Sequence, residues 1–289
     1  MTFLYGMVAA LGWGTGDFLA RTAVQRLGAY RTLFWVQMPG IALLVAFLGL
    51  TGQFATLREA TPSQWAWAAG AAVLNVFSTL ALYRAFATGM LSIAAPLTAS
   101  YAAVTTLLSL LSGERISPLQ FGGIAFCLGG AALVAASRNE EAAPSMRHGS
   151  GAAVLWSLVA ALGFGVTFWL FGAFVTPPLS GAPSVLVARV GGVATLGLLA
   201  LPLGRKLPPP DQGSLPILLA VSLFDTIAFV ANNVGLQGSE DALVSVLASQ
   251  FSAVTVLLAR IFLNERLHPH QVAGVLLVLV GVALLGWKG

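Results

Sequence analysis

Apolar stretches long enough to cross a lipid bilayer recur along almost the whole chain. A membrane-spanning helix needs about 20 mostly apolar residues, and short polar or proline-containing breaks separate segments of about that length here. The sequence therefore predicts an all-α membrane protein with ten transmembrane helices. The predicted spans are residues 3–21, 32–50, 64–87, 91–112, 119–137, 151–173, 184–203, 213–236, 242–263 and 270–287.

The composition excludes most alternatives to a membrane protein. Only 8% of the 289 residues are charged and 57% are hydrophobic, whereas about 25% of the residues of an average soluble domain are charged. The formal net charge is +4, but the basic residues are mostly scattered singly between apolar segments, so no nucleic-acid partner is expected. The single cysteine, Cys127, has no partner for a disulfide or a metal site, and no cofactor is expected.

The chain consists of two similar halves separated by one polar stretch. That stretch, SRNEEAAPSMRHGS, divides the sequence almost in the middle. We predict a first five-helix repeat at residues 1–137, a linker at 138–150 and a second five-helix repeat at 151–289. The matching segments are AALGWG (9–14) with AALGFG (160–165), AVTTLL (103–108) with AVTVLL (253–258), and the pattern ERxxPxQxxG at 114–123 and 265–274.

An odd number of helices in each half has a topological consequence. If the chain threads the bilayer continuously, the second half enters from the side opposite the first, and the two repeats are inverted. Inverted repeats are typical of secondary transporters, because the two arrangements of the same unit give inward-open and outward-open states of similar energy.

The glycine-aromatic-glycine turn in the first helix of each half, Gly12-Trp13-Gly14 and Gly163-Phe164-Gly165, and the late ERxxPxQxxG pattern resemble the drug/metabolite transporter superfamily. The chain is similar to the EamA-like ten-helix branch over essentially its whole length. The resemblance implies a central cavity lined mainly by helices 1, 3, 4, 6, 8 and 9. It also implies transport without enzymatic activity. Known members move amino acids, nucleotide sugars, sugar phosphates, choline or drugs, so the substrate itself is not implied.

Polar side chains within the predicted spans are the candidate binding residues. Asp225 lies near the middle of helix 8, and Asn75 occupies the equivalent position in helix 3, 150 residues earlier. The same offset pairs Ser100 with Gln250 in helices 4 and 9. Because a charge at the bilayer centre costs several kcal/mol, it normally faces a cavity or a partner. These four residues predict a binding site near the midplane.

One face of helix 8 carries a carboxylate, an aromatic ring and an amide. Asp225, Phe229 and Asn232 share this face by their spacing, and Asn233 is adjacent. Such a set suits an amine or an amino-acid-like ligand. The alternative is that the acid and the amides only form hydrogen bonds between helices.

Helix 1 carries a second intramembrane acid. Trp13, Asp17 and Arg21 share a face, and an acid four residues before an arginine is the favourable order for a helical ion pair. Asp17 is therefore either a proton site or the neutralising partner of Arg21, with Arg84 as a rival partner. Asp17 and Asp225 are the two candidates for proton coupling.

Aromatic residues near the polar cluster complete the predicted site. Tyr83 and Tyr101 are the foremost candidates for stacking on a substrate, although aromatic residues of membrane proteins more often pack or form interfacial belts. Arg189 either lines the site or snorkels to the interface. The full predicted substrate-binding set is Trp13, Asp17, Asn75, Tyr83, Arg84, Ser100, Tyr101, Trp169, Asp225, Asn232, Asn233 and Gln250.

The sequence has no Walker loop, HExxH or CxxC motif. We therefore expect a secondary transporter of the bacterial inner membrane that moves an amino acid, an amine or a related polar solute by alternating access, with proton-coupled export as one form. Its expected partners are the bilayer, the solute and protons, and it is expected to be a monomer or a homodimer. The competing hypothesis is a membrane-embedded enzyme or lipid-handling protein. The Glu265-Arg266 pair is expected to fix a tight turn.

Overall fold

The computed structural model describes residues 2–113, 117–135, 144–235, 248 and 250–286. Within these ranges the chain is built from helices and their connections, so the all-α prediction is confirmed. A π-helical turn, Phe171–Val175, joins α8 to α9. The helices are α1 (Thr2–Leu27), α2 (Ala29–Thr51), α3 (Ala55–Glu59), α4 (Pro62–Thr88), α5 (Leu91–Ala99), α6 (Tyr101–Leu111), α7 (Pro118–Ala135), α8 (Pro144–Leu170), α9 (Thr176–Leu179), α10 (Gly181–Ala200), α11 (Leu215–Gly235), α12 (Phe251–Phe262) and α13 (Pro269–Gly286).

Six helical segments in the described part of the chain are long and apolar enough to cross a membrane: Ala29–Thr51, Pro62–Thr88, Leu91–Leu111, Gly151–Leu179, Gly181–Ala200 and Leu215–Gly235. Shorter apolar helices occupy three further predicted spans, and α1, which carries Asp17 and Arg21, occupies the first. A count of ten transmembrane helices is therefore not confirmed. Residues 242–247 of the predicted ninth span lie outside the described residues, and α8 already begins at Pro144, inside the predicted linker.

The repeated Pro-x-Gln sequence starts the last helix of each half. The Ser117 N–H donates to Gln120 Oε1 at 2.8 Å, while Ser117 Oγ accepts from the Gln120 N–H at 3.3 Å. In the second half, the His268 N–H donates to Gln271 Oε1 at 3.0 Å. Proline fits the first helical turn, and the glutamine satisfies an N–H group that the helix leaves free. This part of the ERxxPxQxxG pattern is thus a helix-start signal.

Several contacts between the two halves occur twice, the second time with the equivalent residues of the two halves interchanged. A Cβ atom added at Gly12 would lie 2.8 Å from Ala228 Cβ, and one added at Gly163 would lie 3.2 Å from Ser78 Cβ. Small residues at such crossings let helix backbones approach closely. The two sets of contacts are therefore related by an approximate two-fold axis. Two further reciprocal contacts are the hydrogen bonds from Thr105 Oγ1 to the Gly165 carbonyl (3.0 Å) and from Thr255 Oγ1 to the Gly14 carbonyl (3.2 Å).

The last helices of the two halves, α7 and α13, pack directly on each other across glycines. A Cβ atom at Gly130 would lie 2.6 Å from the Gly274 carbonyl oxygen, and one at Gly123 would lie 2.8 Å from the Gly281 carbonyl oxygen. Gly123 and Gly274 are the final glycines of the ERxxPxQxxG pattern. The pattern therefore also encodes this close helix crossing.

Adding a methyl group at the crossing should destabilise the protein. We expect Gly130→Ala to cost about 1–3 kcal/mol, because the new Cβ meets backbone that cannot move aside. Gly129→Ala is the matched control: its Cβ would meet no atom within 4 Å, and alanine favours a helix over glycine by about 1 kcal/mol. Denaturation of the two purified variants in detergent measures the difference, and equal stability of the two would contradict this packing.

The turn before α11 is capped by Asp211. The Ser214 N–H donates to Asp211 Oδ1 at 2.8 Å. Hydrogen bonds from the side chain and the backbone of Ser214 lower the pKa of the Asp211 carboxyl from its ordinary value. The stabilisation from this cap is therefore complete above the ordinary pKa and is lost as the pH falls through the lowered value.

Candidate functional site

A cavity of about 100 Å³ lies between the two halves. Its walls come from α1, α2, α4, α5 and α6 of the first half and from α8, α10, α11 and α12 of the second. Six predicted binding residues line it, namely Trp13, Asp17, Asn75, Tyr83, Tyr101 and Asp225.

Arg189 of α10 is buried beside the cavity and is held by two partners. Its Nη1 donates to Gln37 Oε1 of α2 at 2.7 Å, and its Nη2 forms an ion pair with Asp225 of α11. The Arg189 side chain is 6% exposed, whereas that of Asp225 is 33% exposed and lines the cavity. Because a buried guanidinium cannot lose its proton, it needs such a partner. Arg189 therefore lines the site instead of snorkelling to an interface.

The charged pair of the second half has a neutral counterpart in the first. Asn75 occupies the position equivalent to Asp225. Gln37 is the counterpart of Arg189, since a Cβ at Gly40 would approach Arg189 Nε at 3.5 Å and a Cβ at Gly192 would approach Gln37 Nε2 at 2.5 Å. The hydrogen bond between Gln37 and Arg189 thus joins equivalent positions of the two halves. The same place in the fold holds amides in one half and ions in the other.

Asp17 lines the cavity, and Arg21 does not pair with it. Arg21 Nη1 instead lies 2.6 Å from Glu265 Oε1, in the connection before α13. The rival partner Arg84 lies over the Trp156 ring, with its guanidinium carbon 4.7 Å from the ring centroid. The structure thus favours neither predicted ion pair of Asp17. Glu265 pairs with Arg21 of α1 and not with Arg266. The expectation of a charge pair within the Glu265-Arg266 turn is therefore wrong.

Several polar groups face the cavity without a hydrogen bond to any residue in the described ranges. They are the Asp17 carboxylate, the Asn75 amide, the Trp13 indole N–H and the Tyr83 and Tyr101 hydroxyls. The Thr98 hydroxyl, which also lines the cavity, is buried without a partner. Because buried polar groups are normally satisfied, so many unpartnered groups around one cavity indicate water or a polar ligand there.

Aromatic rings form the other wall of the cavity around Trp13. Ring centroids of Phe168, Phe229 and Phe251 lie 6.3, 6.2 and 6.1 Å from that of Trp13. Tyr101 lies 4.7 Å from Phe168. These edge-on and tilted arrangements are the ones aromatic pairs prefer. They leave ring faces and edges around the space beside Asp17, which lies one helical turn from Trp13.

The other predicted site residues have contacts away from the cavity. Asn233 Nδ2 donates to the Phe229 carbonyl at 2.9 Å and Asn233 Oδ1 accepts from Thr176 Oγ1 at 3.2 Å, which matches the alternative of bonds between helices. Ser100 Oγ donates to the Leu97 carbonyl, and Trp169 Nε1 donates to Ser112 Oγ. Neither Arg84, Asn232 nor Gln250 is among the lining residues.

Fourteen of the twenty lining residues were not in the predicted set; the polar and aromatic ones are Gln37, Thr79, Thr98, Phe164, Phe168, Arg189, Phe229 and Phe251. Gln37 lies in α2, a helix that the resemblance did not place at the cavity. The sequence repeat gives no clear signal for Gln37, because it lies 152 positions from Arg189; the equivalence of the two residues is visible only in the reciprocal contacts of Gly40 and Gly192. In the described part of the chain, no group of three or more His, Cys, Asp or Glu side chains could hold a metal ion.

Fold and cavity together define a multi-pass membrane protein of two repeats with a central cavity. The chain belongs to the EamA-like transporter family, whose model matches residues 1–136 and 151–287. An uncharacterised protein, y4nH of Sinorhizobium fredii, is 30% identical over 117 residues, which are 38% of this chain and 100% of that protein. A crystal structure with 20% sequence identity covers 98% of this chain and 95% of its own chain with a TM-score of 0.66, which supports the fold.

Proposed function

We propose that this protein is a secondary transporter that moves a small polar metabolite, an amino acid, an amine or a related solute, across the membrane by alternating access. The observation that carries the proposal is the central cavity with unpartnered polar groups, lined by both halves. A transporter needs such a site where its two halves meet. A membrane-embedded enzyme would instead need a convergent acid/base or metal cluster at one interface.

The reciprocal contacts between the halves support the alternating-access part of the proposal. Exchanging the halves turns the contact of Gly12 with Ala228 into that of Gly163 with Ser78. If the repeats are inverted, as five helices in each half require, the same exchange also swaps the two sides of the membrane. The inward-open and outward-open states then use the same kinds of contact and differ little in energy.

Proton coupling, where it occurs, is proposed to act through Asp17. Asp225, the other candidate, is tied to Arg189 in an ion pair. Asp17 faces the cavity with no ion-pair partner in the described ranges. Among the described lining residues, Asp17 is the one charge without an ion-pair partner, and its protonation removes that charge. We place the protein in a bacterial inner membrane, working as a proton-coupled exporter.

Transport by purified protein in liposomes tests the proposal. We expect saturable flux of a labelled amine or amino acid, accelerated when unlabelled solute is present on the opposite side. Thr79→Trp should abolish this flux, because the indole would occupy the cavity beside Asn75. Phe77→Trp is the matched control, since Phe77 lies on the same helix but is 50% exposed on its outer surface.

Two results would count against a carrier. Flux that does not saturate and shows no acceleration by solute on the opposite side indicates a passive channel. Equal flux in the Thr79→Trp and Phe77→Trp variants shows that the solute does not use the cavity. The absence of flux for every amine, amino acid and sugar phosphate tested in well-folded protein contradicts the proposal as a whole.

A further inference from the structure

The charges that line the cavity do not balance. Its charged lining residues, within the described part of the chain, are Asp17, Arg189 and Asp225. Arg189 and Asp225 neutralise each other as an ion pair. This leaves Asp17 as a single uncompensated carboxylate in a space bounded largely by apolar and aromatic side chains. An ionised carboxylate in such surroundings is stabilised strongly by a cation that enters beside it.

The two halves contribute different chemistry to equivalent positions of the cavity wall. Asp17 of the first half corresponds to Phe168 of the second, Thr79 to Phe229, and Tyr101 to Phe251. At these three pairs of positions the first half supplies a carboxylate and two hydroxyls, whereas the second half supplies phenylalanines. The second half's own carboxylate, Asp225, is paired with Arg189. A ligand that satisfies both walls has a charged end toward the first half and an apolar body toward the second.

Aromatic rings line the same cavity as Asp17. Trp13 lies on the same helix one turn away, and Phe168, Phe229 and Phe251 pack around its ring. Ring faces attract cations within about 6 Å, with tryptophan the strongest. The combination of one carboxylate with several rings recognises ammonium groups, including those that carry no N–H.

The cavity has no free cation for a carboxylate group of a ligand. Among its described lining residues only Arg189 is positively charged. Its Nη groups already donate to Gln37 and Asp225, and its Nε, which has no partner, is buried. A zwitterionic amino acid would bring a carboxylate that has to break this pair or stay unpaired. Either choice is costly in a partly desolvated site.

We propose that the substrate is an organic cation, an amine or quaternary ammonium compound with an apolar body and no carboxylate, bound with its cationic group at Asp17 and its body among Trp13, Phe168, Phe229 and Phe251. This proposal rests on the proposed function, because it names the substrate class of the same cavity. It narrows that function from polar metabolites in general to cations. It also assigns Asp17 and Phe168, equivalent positions of the two halves, as the pair that orients the ligand.

Ligands that share one ring and one two-carbon arm test the charge requirement directly. Binding of phenethylamine, phenylalanine and phenethyl alcohol to detergent-purified protein is measured by isothermal titration calorimetry, with benzyltrimethylammonium and tryptamine as further cations. We expect at least one of the cations to bind about 10-fold or more tightly than both phenylalanine and phenethyl alcohol, because only it satisfies Asp17 without adding an unpaired carboxylate.

Variants locate the binding at the proposed residues. Asp17→Asn should weaken cation binding by about 10- to 100-fold, as expected for loss of a charge-assisted contact. Phe168→Leu should weaken binding of phenethylamine and of phenethyl alcohol alike by several-fold, because the phenyl ring that they share is placed against Phe168. Glu59→Gln, the same kind of charge removal on the exposed helix α3, is the matched control and should change nothing. Melting temperatures without ligand verify that each variant is folded.

The outcomes separate this inference from the proposed function. Tighter binding of phenylalanine or phenethyl alcohol than of every cation overturns the inference, as does cation binding that survives Asp17→Asn unchanged or no binding of any cation. Saturable flux of amino acids in liposomes alongside such a result leaves the transporter intact and refutes only the cation class. Cation binding that depends on Asp17, without flux of the bound cation, supports the site and refutes transport.

Discussion

Replacing Asp225 with asparagine should destabilise the protein by about 3 kcal/mol, and replacing Arg189 with glutamine at the same time should restore most of the loss. The single substitution leaves the Arg189 guanidinium, 6% exposed, without its counter-ion. Breaking one side of a buried ion pair typically costs about 3–5 kcal/mol, and the partial exposure of Asp225 to the cavity places the expectation at the lower end.

The first half of the molecule gives the reason to expect rescue. At the equivalent positions it carries Gln37 and Asn75, so the double variant Arg189→Gln, Asp225→Asn gives the second half the same two amides. The remaining cost is that of exchanging one hydrogen-bonded arrangement for another, about 1 kcal/mol. Removing both charges of a buried pair is often close to neutral, unlike removing one.

A double-mutant cycle in detergent, followed by SDS or thermal denaturation, measures the coupling between the two residues. The expected coupling energy is about 2 kcal/mol or more. Arg58→Gln and Glu59→Gln make the same kinds of change on the exposed helix α3 and should each stay within about 0.5 kcal/mol of the starting protein. A double variant no more stable than either single variant would show that the two halves are not interchangeable here.

The fold was predictable where a sequence pattern, either of hydropathy or of specific residues, recurs along the chain. Hydropathy located the helices, and the recurrence of ERxxPxQxxG located both halves. The structure gives the physical content of that pattern: a capping glutamine at Gln120 and Gln271, and glycines at Gly123 and Gly274 that allow α7 and α13 to cross closely. The π-helical turn at Phe171–Val175 was not predicted from the sequence.

Site residues were predictable from the sequence where a charged side chain lies within a membrane span, because such a residue is rare and costly. The partners of these residues were not predictable where they lie far away in the sequence. Intramembrane acids pointed to Asp17 and Asp225, and both line the cavity. Spacing within helix 1 suggested Arg21 as the partner of Asp17, but the pair that forms joins Arg21 to a residue 244 positions away. Ser100 matched Gln250 by position, yet its hydroxyl is satisfied by a carbonyl three residues earlier in the chain.

Substitution of Glu265, the distant partner of Arg21, is expected to have the second large effect on stability. Its Oε1 accepts from Arg21 at 2.6 Å and from the Leu91 N–H at 3.0 Å, while its Oε2 accepts from the Ser92 N–H at 2.8 Å. Helix α5 begins at Leu91, and the residue before it, Met90, provides no side-chain cap. A carboxylate from the other half of the chain therefore satisfies the first N–H groups of this helix.

Glu265→Gln should cost about 2–4 kcal/mol although it changes only one oxygen to an NH₂ group. An amide has one acceptor oxygen, so its NH₂ group has to face either Arg21 or a backbone N–H, both of which are donors. The Glu265 side chain is 7% exposed, and water cannot easily replace the lost acceptor. An unsatisfied buried donor of this kind costs about 1–3 kcal/mol, and the lost charge adds to that.

Arg21→Gln separates the two roles of Glu265, because it removes the ion pair and leaves the helix cap in place. When Arg21 is changed, Glu265 keeps the Leu91 and Ser92 N–H donors, so the expected loss is that of one hydrogen bond to a charged group, about 1.5 kcal/mol. We therefore expect Glu265→Gln to lower the midpoint of SDS or thermal denaturation clearly more than Arg21→Gln does. Equal losses would mean that the ion pair, and not the cap on α5, is what fastens the two halves at this end of the molecule.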